Sequence, residues 1–364
     1  MKPKLLFIVN TYAPGAIPKI LNLLIPTFLN IYKIKIISLD KMDNFYALSE
    51  LNKDVEFKAL EMHRLNILGT LIKLRKEINS YSPDIIHSHL GRAYIYSAIC
   101  KIANSKLIAT IHTIRKIQFK RGLFNITQIL FKLLENRFDY KVFISKIVQA
   151  SWIRNNIESR KAVIYNPVKI KKRTYEKMHI DQPFKILFAG RLLDFKNTIL
   201  IVKSIKEIVR IDTNIQLIVA GDGPEFHNID NYIRNNKLES NISMLGFCNE
   251  MDSIYSQADL IVFPSLWSSG LPMVAIEASQ FNTALLSSDI IGVQEFIQNN
   301  KNGLLFKSDS YFDLAEKILV LKNDPIHREM LASNLKSYVD KNFSTEKCAD
   351  KYLNIYKRLL VKTL

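Results

Sequence analysis

Arg191 and Lys196 stand close together in the run Gly190-Arg191-Leu192-Leu193-Asp194-Phe195-Lys196-Asn197, directly after an apolar stretch at 185–189. A guanidinium fork and an ammonium just past a strand end suit a diphosphate, whose charge grows as a group departs from it. A second candidate is the segment 263–278, FPSLWSSGLPMVAIEA. Its strand ends at Phe263, a short loop closes with Ser269-Gly270-Leu271, and Pro272-Met273 opens a helix, since proline's fixed φ and missing N–H suit the first helical position. The open N–H groups of such a helix start form an anion site. Glu277, in the second turn, can reach a ribose while a diphosphate occupies that start.

Smaller signals lie around these two. Gly221-Asp222-Gly223-Pro224-Glu225 makes a tight turn after a strand at 216–220, at the sheet edge where ligands bind in doubly wound folds. Its favoured reading is structural, with Gly221 leaving room for a nucleotide to approach. Gly246-Phe247 ends the next strand. In the N-terminal half, Gly15 follows the first strand. His87 and His89 alternate on a later strand like a metal pair, but no third ligand lies within reach by spacing, so no metal is expected. His112 ends a further strand and reads either as a ligand contact or as a satisfied structural imidazole.

Two runs of elements must position these residues. Apolar strands at 5–10, 34–38, 85–87, 107–111, 141–144 and 162–165 alternate with helical patterns, which is the rhythm of a parallel sheet wrapped by helices. Asn166-Pro167 breaks the pattern. A basic stretch without apolar period, 169–183, reads as a linker. A second series starts at 185–189 and continues at 216–220, 242–245, 260–263 and 284–287, and from Asp324-Pro325 onward the chain is helical. The expected division is an N-terminal lobe at 1–168, a C-terminal lobe at 184–344 and a last helix at 345–364.

The chain has 364 residues, 48% hydrophobic and 23% charged, enough for two ordinary cores in a globular protein. Three cysteines without metal-ligand spacing read as reduced thiols. The longest apolar stretch, 20–32, is broken by Asn22, Pro26 and Asn30, so no membrane span is expected. The N-terminal LLFIVN reads as a buried strand rather than a signal segment. Net charge is +17, and between Lys101 and Arg173 there are 17 Lys or Arg against Glu135, Asp139 and Glu158. Such a concentration of cations implies a polyanionic partner. The apolar, basic stretch at 117–138, with Lys116, Lys120, Arg121, Lys132 and Arg137 in or beside it, fits two readings equally: a helix in an anionic membrane interface, or one packed on the sheet with its lysines outward.

The 263–278 segment, the Gly190-Arg191-Leu192…Lys196 run and the Gly-Asp-Gly-Pro-Glu turn together resemble glycosyltransferase family 4, over essentially the whole chain. The resemblance implies the α/β GT-B fold, two Rossmann-like, doubly wound parallel-sheet domains facing a cleft, with the last helix crossing back to the N-terminal domain. It implies a retaining glycosyltransferase that takes a nucleotide-sugar, with a UDP-sugar as the expected donor, no cofactor and no metal. Arg191 and Lys196 become the diphosphate clamp, His112 the contact to the donor sugar, and Glu277 the ribose ligand. Gly15, Gly190, Gly221, Gly246, Phe247, Ser269, Gly270, Leu271, Pro272 and Met273 become donor-binding positions. Family members usually carry a glutamate where Ser269 stands, so a carboxylate beside the donor sugar is missing here.

The expected acceptor is a glycan, lipid-linked, in bacterial envelope polysaccharide or lipopolysaccharide synthesis. The expected location is cytoplasmic, peripheral on the anionic inner face of the cytoplasmic membrane. A GT-B sugar-nucleotide epimerase and a weak or inactive homologue stay open as alternatives, although no convincing acid/base carboxylate pair is present. Nucleic-acid binding lacks any RNA- or DNA-reading motif, and a dinucleotide oxidoreductase lacks Gly-x-Gly-x-x-Gly.

Overall fold

A computed structural model describes residues 2–13, 15–40, 51–62, 66–114, 126–152, 160–171, 182–268 and 272–361. They divide into two compact units, Met1–Val168 with Phe343–Leu364, and Lys169–Asn342. Of the stretch 169–183, residues 172–181 lie outside the described residues. Lys171 is fastened within the second unit, its backbone N–H donating to Gln280 at 3.1 Å and its ammonium pairing with Asp252.

The first unit holds β1 (Lys4–Val9), β2 (Lys33–Ser38), β3 (Glu56–Ala59), β4 (Ile85–His89), β5 (Lys106–Ile111), β6 (Tyr140–Phe143) and β7 (Lys161–Val163). All pair in parallel, in the order β3-β2-β1-β4-β5-β6-β7. The second unit holds β8 (Phe184–Ala189), β9 (Ile215–Ala220), β10 (Ile242–Gly246), β11 (Leu260–Phe263), β12 (Ala284–Ser288) and β13 (Leu304–Phe306), again parallel, in the order β10-β9-β8-β11-β12-β13. The central strands are buried along nearly their whole length, as KLLFIV and FKILFA illustrate. Helices on both faces demand such continuous apolar runs. β3 and β13 were not read from the sequence: β3 alternates as EFKA, and β13, though apolar (LLF), is only three residues long. Both are short edge strands, and Glu56 and Lys58 of β3 face solvent on the side away from the core.

In each sheet the strand order reverses once, between β1 and β4 and between β8 and β11. The carboxyl ends of strands at such a reversal leave a crevice where doubly wound folds take ligands.

Among the described residues no helix is long and apolar enough to cross a membrane. The helix Thr345–Val361 belongs to the first unit, where it buries Cys348, Ala349, Tyr352, Ile355 and Tyr356. That spacing keeps one face of a 3.6-residue helix on the core. Tyr356 meets Phe28 edge-on at 5.6 Å and Tyr32 at 5.7 Å. A bridge between Val168 and Ser344 and a bond from the Thr345 hydroxyl to the Val168 carbonyl (3.1 Å) fix its entry.

Candidate active site

The reversal of the second sheet carries the charged residues. Gly190 and Arg191 leave the end of β8, and the chain turns through the short 3-10 helix Asp194–Lys196. A backbone clasp shapes this turn. Gly190 N–H donates to Ala220 (3.0 Å), Leu192 N–H to Asp222 (2.9 Å) and Glu225 N–H to Leu192 (3.1 Å), so the turn after β9 is laced to the turn after β8. Gly221 is required for this. A Cβ there would stand 1.9 Å from the Gly190 carbonyl oxygen. The room that Gly221 makes is therefore taken by protein backbone rather than left open, and the glycine holds the Arg191 turn in place.

Arg191 is exposed and has no carboxylate partner among the described residues. Lys196 is half-buried, with Nζ 4.8 Å from the Phe263 ring centre and 5.5 Å from that of Phe195. Burial pushes its pKa down. Aromatic faces hold the cation without neutralising it, and a poorly hydrated ammonium gains more from an arriving anion than a solvated one. Phe195 in turn stacks on Trp267 at 4.2 Å, and Leu266 N–H donates to the Phe195 carbonyl at 2.8 Å. These contacts tie the Lys196 turn to the loop that leaves β11.

That loop leads to the helix Met273–Ser279. Pro272 stands one position earlier than its sequence reading, as the buried N-cap with ψ 105°, and Met273 is the first helical residue. Ser269, Gly270 and Leu271 lie outside the described residues. Glu277 is half-buried, and its Oε2 accepts a hydrogen bond from the Tyr255 hydroxyl at 2.9 Å. Tyr255 comes from the helix Met251–Gln257 and is buried; burial, and then the Glu277 carboxylate, push its phenol well above the ordinary range. It therefore donates at every physiological pH. No motif marks Tyr255, because its role depends on tertiary packing against Phe281 and Thr283. Beside the next strand end, Gly246 lies in the left-handed region (φ 67°) with open space around it, and Phe247 is 67% exposed. An exposed aromatic face at a strand end can stack on a base.

In the first unit, Gly15 caps the helix Ala16–Leu29 that follows β1, His89 ends β4, and His112 stands one residue past the end of β5. His112 keeps 8% exposure, while His87 and His89 are fully buried. Both nitrogens of His87 are used internally: Nδ1 pairs with Tyr356 Oη at 2.6 Å and Nε2 with Thr110 Oγ1 at 2.7 Å. His89 Nδ1 meets His112 Nε2 at 3.0 Å. Burial drives all three toward the neutral form, His87 and His112 to a pKa of about 3. Among the described residues no group of three His, Cys, Asp or Glu side chains is placed to hold a metal ion.

Two doubly wound parallel-sheet domains, one with cations and a helix-borne glutamate at its reversal point, define a glycosyltransferase of the GT-B class. Sequence comparison gives the family. The chain belongs to the family-4 glycosyltransferases: residues 47–172 match the family described as Glycosyltransferase Family 4, and residues 171–338 that described as Glycosyl transferases group 1. An uncharacterized glycosyltransferase of Methanocaldococcus jannaschii is 31% identical over 288 residues, covering 78% of this chain and 77% of its own. The Escherichia coli UDP-Gal:α-D-GlcNAc-diphosphoundecaprenol α-1,3-galactosyltransferase is 22% identical over 316 residues, covering 81% and 80%. Among solved structures, HepE of Anabaena in complex with UDP superposes with a TM-score of 0.82 at 18% identity, covering 98% of this chain and all of that one.

Proposed function

We propose that this glycosyltransferase transfers a sugar, with retention of configuration, from a UDP-sugar to a lipid-linked glycan at an anionic membrane surface. The observation that carries the reading is the grouping of Arg191, Lys196 and Glu277 on segments that leave β8 and β11, the two strands at which the second sheet reverses. Glu277, oriented by Tyr255, takes the ribose hydroxyls. Arg191 and Lys196 take the diphosphate. In the transfer, the bond from the sugar's anomeric carbon to the diphosphate oxygen breaks as the acceptor oxygen bonds to that carbon from the same face. The acceptor's proton passes to the departing phosphate, whose growing charge falls to the two cations. Because they supply the positive charge that Mg²⁺ gives elsewhere, no metal is required. His112 holds a hydroxyl of the transferred sugar.

UDP as the nucleotide is supported by what HepE was crystallised with and by the named donor of the E. coli relative. The lipid-linked acceptor is supported by that relative's diphosphoundecaprenol substrate and by the cations between Lys101 and Arg173. On the helix Ile126–Leu134, Ile129, Leu130 and Leu133 are exposed beside Lys132, a pairing suited to an anionic lipid interface; Lys116, Lys120 and Arg121 lie outside the described residues.

Calorimetric titration with UDP, GDP, ADP and CMP tests the donor site. UDP is expected to bind tightest, and Glu277→Gln to weaken it by about 10- to 100-fold, since hydrogen bonds to a charged carboxylate contribute roughly 1.5–3 kcal/mol. Equal affinity of the variant removes Glu277 from the ribose. The anomeric coupling of the product, read by proton NMR, decides retention.

A further inference from the structure

His87 and His89 lie two residues apart on β4 and so share a face of the sheet, with His112 one step beyond the end of β5 on the same side. Among the described residues the Tyr356 hydroxyl has His87 Nδ1 as its only hydrogen-bond partner, so it donates there. A neutral His87 then carries its proton on Nε2 and gives it to Thr110, whose hydroxyl is 3.3 Å from Tyr352 Oη. His87 has no nitrogen left for a ligand.

The other pair is differently placed. One proton lies between His89 Nδ1 and His112 Nε2, 3.0 Å apart, and His89 Nε2 is buried with no partner. Were the shared proton on His112, a neutral His89 would carry its own on Nε2, and a buried N–H would face no acceptor. With the proton on His89 Nδ1, the orphan is only a bare lone pair, the milder of the two defects. His112 then accepts at Nε2 and carries its single proton on Nδ1. His112 is 8% exposed against 1% for each of the other two, and its Nδ1 has no partner among the described residues. Burial keeps both rings neutral, as this tautomer scheme requires.

We propose that His89 is a positioning residue that locks His112 as the Nδ1–H tautomer, so that His112 offers the transferred sugar a fixed hydrogen-bond donor and never an acceptor. The second half of this statement rests on the reading of His112 as a sugar contact. A donor of this kind selects for a sugar oxygen with a free lone pair. It takes no proton from the acceptor, which leaves that role to the phosphate.

The test is imidazole ¹⁵N NMR on the whole enzyme at pH 7.5, with His112 assigned by the loss of its signals in His112→Gln. The expected spectrum shows His112 protonated at Nδ1 and bare at Nε2. His89→Asn, whose amide nitrogen can occupy the place of Nδ1, is expected to keep that pattern. His89→Phe is expected to abolish it and to lower kcat/KM by about 10-fold, the usual loss for one hydrogen bond, with UDP affinity unchanged and His89→Asn recovering most of the rate. A wild-type His112 protonated at Nε2, or an unchanged His112 pattern in His89→Phe, overturns the lock. An intact Nδ1–H pattern combined with wild-type transfer by His112→Gln overturns instead the sugar contact, and with it the role assigned to the lock.

Discussion

Lowering the pH from 7 to 5.5 should weaken the first unit far more than the ionisation of its carboxylates can account for. His87, His89 and His112 are buried neutral, with His87 and His112 held at a pKa of about 3 against an ordinary 6.5 and His89 also well below it. Above pH 6.5 both folded and unfolded chains carry these imidazoles neutral, and pH has no leverage. Below it, the unfolded chain binds protons that the folded chain refuses, so stability falls until the lowered folded values are reached. At pH 5.5 each such histidine costs about 1.4 kcal/mol, and three cost about 4 kcal/mol, provided only that the folded values lie below about 5. Against a typical total of roughly 5–15 kcal/mol, that is a large fraction. The chain's two tryptophans divide between the units, Trp152 in the first and Trp267 in the second. Urea unfolding of Trp267→Phe, followed by Trp152 fluorescence at pH 7.0 and 5.5, therefore reads the first unit alone. A difference under about 1 kcal/mol between the two pH values would refute the buried neutral cluster.

Replacing Gly221 by alanine should cost about 3 kcal/mol or more, read as a fall in melting temperature, because its Cβ would meet the Gly190 carbonyl oxygen at 1.9 Å. An unchanged melting temperature would show that the clasp yields. Arg191→Ala and Lys196→Ala should each lower kcat by at least ~100-fold at saturating donor while leaving the circular dichroism spectrum intact, since each removes charge stabilisation from the leaving diphosphate. Near-normal turnover in either variant removes that residue from the clamp. The protein should sediment with anionic vesicles and leave them as salt rises, each surface-facing Lys or Arg contributing about 1 kcal/mol. Equal sedimentation with neutral vesicles would argue against an electrostatic membrane site.

The architecture was legible because parallel strands buried on both faces must be written as continuous apolar runs, and eleven of the thirteen strands among the described residues were found that way. β3 escaped because its charged and apolar residues alternate, and β13 because its apolar run, although buried in the core at Leu304 and Phe306, is only three residues long. The placement of candidate residues was legible where they sit just past a strand end, as Arg191 and Lys196 do after β8. It was illegible where partners come from afar. Tyr255 reaches Glu277 from a separate helix, and Tyr356 reaches His87 across 269 residues of sequence. The alternation of His87 and His89 suggested a metal pair because spacing reports which side chains share a face. It says nothing of what the opposite element brings, here two tyrosines and a threonine.

The placement of the helix Thr345–Val361 in the first unit has a consequence for how the protein is made. The ribosome completes Met1–Val168, then the whole of Lys169–Asn342, and only afterwards the helix that carries Tyr352 and Tyr356. At about 5–20 residues per second, the first unit waits on the order of 10–40 s with Phe28 and Tyr32 uncovered and His87 Nδ1 without its phenol. During that interval the second unit can fold by itself, since its sheet and core are contiguous in the chain. The unit made first is thus finished last, and a nascent chain stalled before Thr345 presents an aromatic groove to whatever chaperone or neighbouring chain is at hand.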